Sequence, residues 1–129
     1  MPKVFRLSEQ YLIRAEARAN QDNMGGASKD LSDLRKARFQ GGNGAISVTK
    51  QNWLDIIEEE RVRELYMEGF RLQDLKRWHK GFERKPQQQS LANGSSLKIE
   101  ADDVRFVWPI PKHELDSPGS EIQPNESNK

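Results

Sequence analysis

Glu60, Glu64 and Glu68 recur at intervals of four in "EERVRELYMEGFRLQDLKRW", residues 59–78, with Arg61, Arg63, Arg71 and Arg77 set among them. A helix would stack the three carboxylates in one row, and carboxyl groups ~5 Å apart in an open cleft are the equipment of a retaining glycosidase. That chemistry also needs one acid whose pKa is raised, whereas neighbouring guanidinium groups keep every acid ionised. No catalytic residue is assigned. A carboxylate metal site would favour Glu-x-x-His, but Lys76 stands three before His79 and Ile110 three before His113. Both histidines read as surface groups, and neither a metal nor another cofactor is expected.

Other stretches with chemical potential also have plainer readings. "GGNG" at 41–44 lacks the Lys and Ser or Thr that complete a phosphate loop, so it reads as a flexible connector. "NGS" at Asn93 and "NES" at Asn125 match glycosylation acceptors formally and read as ordinary loop sequence. Sugars are held by aromatic faces with nearby amides and carboxylates, and Trp53, Trp78, Trp108 and Tyr66 are available. Each is expected to pack in the core, so the ligand-binding residues stay unnamed.

A chain of 129 residues supports one modest core. Its hydrophobic share is 34%, its charged share 32% and its mean hydropathy −0.93, which sets it toward the polar limit of what folds alone and hints at a piece of something larger. Twenty-one basic against twenty acidic side chains leave a net charge of +1, too balanced for a nucleic-acid surface. With no cysteine there is no disulfide, thiolate metal site or cysteine nucleophile. No stretch approaches the ~18 apolar residues that span a bilayer, and "MPKVFRLSEQ" lacks a signal peptide's apolar core, so the chain as given is expected to be soluble.

Helical periodicity organises the first eighty residues. Ser8 is a candidate cap for "EQYLIRAEARAN", whose Tyr11, Leu12, Ala15 and Ala19 share one face while Ile13 and Ala17 lie nearly opposite. A helix apolar on two sides expects neighbours on two sides. After the turn "QDNMGG", "ASKDLSDLRKARF" predicts a second helix with Leu31, Leu34 and Ala37 inward, completing an antiparallel pair like one unit of a helical repeat. Thr49 is the expected cap of a third helix from about Lys50 to Met67, Gly69 marks a bend, and Phe70 to Trp78 form a short fourth helix. Beyond Gly81, "ERKPQQQSLANGSS" reads as a mobile loop, with short strands expected around Leu97–Ile99 and Val104–Trp108 and an extended tail after them.

On the third helix, Trp53, Ile56, Ile57 and Met67 define an apolar stripe, and at ~100° per residue Glu60 and Glu64 fall in its middle. Buried without partners, each acid would cost several kcal/mol, so the sequence must set cations against them. Arg61, Arg63, Arg71, Arg77, Arg35 and Arg38 are the candidates, their planar forks suited to bidentate pairing. The expectation is that Glu60 and Glu64 join buried arginine pairs that fix how helices two, three and four dock.

The same stretch, written E-R-x-x-E-L-x-x-E-G-x-R-x-x-D-L-x-R from Glu60 to Arg77, resembles the C-terminal signature of the SusD/RagB family. "YLIRAEA" at Tyr11–Ala17 is similar to that family's repeat helix, Arg38 to the arginine ending its next helix, and "VWPIPKHEL" at Val107–Leu115 to its P-I-P-x-x-E element. Two features depart from the pattern: Arg35 replaces an asparagine, and a closing Q-N-P-G-Y is reduced to Gln123, Pro124 and Asn125. The resemblance implies tetratricopeptide-like helix pairs in a nutrient-binding lipoprotein of the bacterial outer membrane. Such a protein caps a SusC-like TonB-dependent transporter and captures oligosaccharides or other nutrients without catalysis. Because only the family's last portion is matched, the lipid-bearing cysteine and earlier helices are expected to lie outside this chain.

The resulting expectation is a mainly α fold of antiparallel, tetratricopeptide-like helix pairs, with an irregular C-terminal segment containing at most short strands. Residues 1–80 form the helical core, 81–103 a variable polar loop and 104–129 an extended segment packing on the helices, as a fragment of a larger protein. Its partners are a SusC-like transporter and an oligosaccharide or other nutrient, with no nucleic acid, and with membrane attachment only through a lipid anchor lying outside the chain. The alternative is a helical scaffold that binds proteins and takes no sugar.

Overall fold

Leu12, Ala15 and Ala19 are spaced so that a helix puts them on one face, and all three are buried in α1, Leu7–Asn20. The computed structural model describes residues 6–41, 44–85, 97–119 and 121–128 of the chain. The opposite face of α1 leaves Ile13 and Ala17 exposed. Ser8 is not the cap: Arg6 holds that position, and Ser8 lies buried in the first turn with its hydroxyl bonded to Glu64.

α2 runs Met24–Arg38, starting three residues earlier than the sequence pattern predicts because the Asn23 side chain accepts from Gly26 N at 2.9 Å. Ala27, Leu31 and Leu34 point inward, whereas Ala37 is exposed, correcting its expected place in the core. α2 packs along α1 in antiparallel register: Arg18 reaches Gly26 O and Arg14 reaches Asp30.

The connector to the next helix is tied down where it is described. Ile46 N donates to Ser32 Oγ at 3.1 Å, Val48 N donates to Ser28 Oγ at 2.9 Å, and Val48 is buried. Two serines one helical turn apart on α2 thus hold residues 46–48, while part of the connector expected to be flexible, 42–43, lies outside the described residues. α3 begins at Trp53, not near Lys50, because residues 50–52 form a turn in which Thr49 O accepts from Asn52 N and Trp53 N, with Asn52 at the cap position. It packs against α1 and ends at Glu64. Met67 adopts φ 64° and Gly69 φ 84°, left-handed values that stop a helix. Met67 is therefore 85% exposed, not on the buried stripe.

The chain divides into two compact units, Met1–Phe70 and Arg71–Lys129. The second opens with α4, Phe70–Arg77, which straddles the boundary and buries Asp74 and Leu75. It then forms a two-stranded antiparallel ribbon of β1, Phe82–Glu83, and β2, Lys98–Ile99, in which Phe82 pairs with Ile99 and Glu83 with Lys98. The expected strand at 104–108 is instead a 3-10 turn, Val104–Phe106, because Asp103 caps it by accepting from Arg105 N at 2.9 Å. A short helix, α5, spans Lys112–Leu115, and a last 3-10 turn covers Glu126–Asn128.

The tail closes back on the second unit. Asn128 donates to Ile110 O at 2.8 Å and accepts from Ile110 N, Asn125 donates to Trp108 O, and Ser127 donates to Val107 O. Asn125 is thus occupied in holding backbone, while Asn93 and most of the polar loop lie outside the described residues. The fold is mainly helical, with one short ribbon. Among the described residues no helix is long and apolar enough to cross a membrane.

Candidate functional site

The acids singled out by their spacing form a continuous row in the first unit. Glu60 is 5% exposed, and its Oε1 accepts from Arg35 Nε at 3.0 Å, from Arg35 Nη2 and from Arg63 Nη1. One turn later Glu64 accepts from Arg38 through both oxygens, Nε to Oε2 at 2.9 Å and Nη2 to Oε1 at 2.6 Å. Arg6 joins from just before α1, donating to Glu64 O at 2.7 Å, to Glu64 Oε1 at 3.3 Å, and pairing with Glu68 at 2.6 Å. Arg35 and Arg38 come from α2, so the row ties α2 and the entry to α1 onto α3.

The electrostatics follow from this geometry. Hydrogen bonding from Arg38 holds the Glu64 carboxyl below the usual carboxylate range, outweighing its partial burial, with Ser8 and Arg6 adding to the effect. The same pairing raises Arg38, and Glu60 likewise raises Arg35. A carboxyl lowered in this way is a poor proton donor near neutral pH, and the Glu60 carboxyl faces guanidinium, not an open cleft. The arrangement fastens α2 and the entry to α1 onto α3.

The cations expected to meet these acids are only partly the ones found. Arg35, Arg38 and Arg63 do so; Arg61 lies over the Phe70 ring at 5.9 Å, and Arg77 binds Asp74 at 3.0 Å and stacks on Trp78 at 4.3 Å. Arg6 escaped notice because it precedes the helix and shows no periodic signal. A second buried acid escaped as well. Asp30, 1% exposed, is gripped by Arg14 and by Arg18 at 2.8 Å from α1. Its spacing from Ala27 and Leu34 on the inner face of α2 was the available signal.

The aromatics separate from the expectation that all pack inside. Trp53 and Trp78 are half-buried, but Tyr66 is 74% exposed because α3 ends before it, and Trp108 is 80% exposed beside the Pro109 turn. His79 is exposed and bonds Asp102 Oδ1 at 2.8 Å; His113 is exposed beside Glu114. Among the described residues no cluster of three His, Asp or Glu side chains could hold a metal ion.

The comparisons with known proteins agree with this architecture. The SusD family model matches residues 2–126. The starch-binding protein SusD of Bacteroides thetaiotaomicron is 43% identical over 75 residues, which cover 58% of this chain and 12% of that protein's length. No solved structure matches the chain. With the match running almost from end to end, and with the arginine-paired acids at the centre of the resemblance, the chain belongs to the SusD family.

Proposed function

We propose that this chain serves in a glycan- or nutrient-binding component of an outer-membrane uptake system and works beside a SusC-like TonB-dependent transporter as part of a cell-surface lipoprotein. Family membership and the starch-binding name of the Bacteroides relative support the reading. The observation that carries the non-enzymatic part is the pairing of Glu60 and Glu64 with Arg35 and Arg38, which commits both carboxylates to structure. Residues 1–80 supply the helical framework, and the low-complexity stretch Gln87–Ser96 is the candidate for a variable rim.

Calorimetric titration with malto-oligosaccharides and a panel of other oligosaccharides tests the proposal, with a reducing-sugar assay run on the same mixtures. Saturable binding without release of reducing ends is the expected outcome; hydrolysis, or silence across the panel, overturns it for this chain. A protein-scaffold reading draws on the exposed Leu7 and Ile13 of α1, and capture of the transporter with no sugar binding would favour it.

A further inference from the structure

A cavity of about 540 Å³ opens within the second unit, between α4, the ribbon and the 3-10 turn. Leu72, Leu75, Phe82, Ile99 and Phe106 supply its apolar wall, and Leu75 and Phe106 belong to the unit's buried core. Its remaining lining residues are charged: Arg71, Arg84, Arg105 and Glu83. No Ser, Thr, Asn, Gln, Tyr or Trp is among them. A neutral sugar would leave its hydroxyls facing hydrocarbon there, at a cost for each unmade hydrogen bond.

The guanidinium groups are positioned before any ligand arrives. Arg84 stands over the Phe82 ring at 5.3 Å, and Arg105 is held by both oxygens of Asp103, each at 2.8 Å. That pairing keeps Asp103 ionised down to about pH 2. Arg105 is met by Asp103, whereas among the described residues no carboxylate pairs with Arg84, whose fork is left to an incoming anion. Apolar clefts of roughly this size with a few placed polar groups bind small molecules, and a guanidinium fork recognises a carboxylate.

From this combination we infer that the cavity binds an apolar-bodied anion, a carboxylate carried on an alkyl or aryl chain. The chain's hydrocarbon lies along Leu72, Phe82 and Ile99, and its carboxylate meets Arg84. Decanoate is the probe, titrated into the full 129-residue chain while the side-chain resonances of Phe82, Ile99 and Phe106 are followed by NMR. The expected result is saturable shifts at these residues below about 1 mM ligand. Decanol should bind roughly tenfold more weakly, as should decanoate to Arg84→Glu, because each loses the charge-assisted contact. Arg84 is exposed, so its replacement leaves the fold intact, and Ile99→Trp provides an independent block by filling the cavity. Absence of saturation, equal binding of decanol, or unchanged binding by both variants overturns the inference.

Discussion

Arg14 grips Asp30 with both arms of its guanidinium fork, Nε on Oδ2 at 3.0 Å and Nη2 on Oδ1 at 2.7 Å, and so fastens α1 to α2. Arg18, one turn further along α1, takes the same carboxylate at 2.8 Å. Asp30 is therefore an ion inside the helix pair with cations from a single neighbouring element. Arg14 in turn lies over the Tyr11 ring at 5.0 Å, which restricts its swing.

Removing that carboxylate's charge leaves a buried amide facing two guanidinium groups that are partly open to water. Asp30→Asn is expected to destabilise the chain by about 1–2 kcal/mol in urea denaturation, since a buried carboxylate loses its charge-assisted hydrogen bonds while its cationic partners can turn to water. The combined replacement Asp30→Leu with Arg14→Met should recover part of the loss. If Asp30→Asn unfolds at the same urea concentration as the parent, the seam does not depend on this pair.

Glu59 and Glu60 are adjacent and both meet Arg63, yet their burial differs sharply, and so should their substitutions. Glu60→Gln weakens three donors at a nearly inaccessible oxygen and should cost about 2–3 kcal/mol. Glu59 is exposed and holds Arg63 in a solvent-facing pair, so Glu59→Gln should change stability by less than about 1 kcal/mol. Equal effects from the two substitutions would show that the buried row contributes nothing special.

What was legible in the sequence follows from what periodicity encodes. Leu12, Ala15, Ala19, Leu31, Leu34 and Ile57 are buried where helical spacing puts them, and the same spacing placed Glu60 and Glu64 inward. Periodicity gives the face but not which long side chain crosses to meet it, so Arg6 and the Arg14–Asp30 pair had to be seen. Helix ends depend on backbone conformation at single residues. Met67 takes a left-handed φ that few residue types announce, and the early end of α3 moved both Met67 and Tyr66 into solvent. The turn at Val104–Phe106 was hidden for a related reason: its residues are good strand formers, and one capping bond from Asp103 overrides that preference. For the candidate site, the structural use of the acids was readable, while the exposed Trp108 and the arginine-rimmed cavity depend on tertiary placement.

Acid should weaken the first unit in a way that traces to Glu64. Its folded pKa lies below the ordinary 4.5, chiefly because Arg38 donates two hydrogen bonds to it. Where the folded value is depressed, the stabilisation is complete above the unfolded value and is lost as pH falls through the folded one. Urea midpoints should therefore stay level from neutral pH to about 5 and decline below the 4.5 of a free carboxyl. Glu64→Gln should start lower at pH 7 and show a shallower decline; an identical acid slope in both proteins would remove Glu64 from the account.

Gly81 is required by a close backbone crossing in the second unit. A Cβ at this position would sit 2.2 Å from Ile99 O and 2.8 Å from the Glu100 carbonyl carbon, and neither is the movable end of a side chain. The crossing brings β1 beside β2, and His79 bonded to Asp102 brackets it from the flanking turns. Gly81→Ala must therefore push the ribbon apart at Phe82 and Ile99, at a cost of about 1–3 kcal/mol. The matched control Gly119→Ala meets no atom within 4 Å, although its φ of 76° imposes backbone strain alone. Hydrogen exchange should show Arg84 N, which donates to Leu97 O at 2.8 Å, losing protection in Gly81→Ala and keeping it in Gly119→Ala. Unchanged protection of Arg84 in both variants would mean that the ribbon does not rely on the close approach at Gly81.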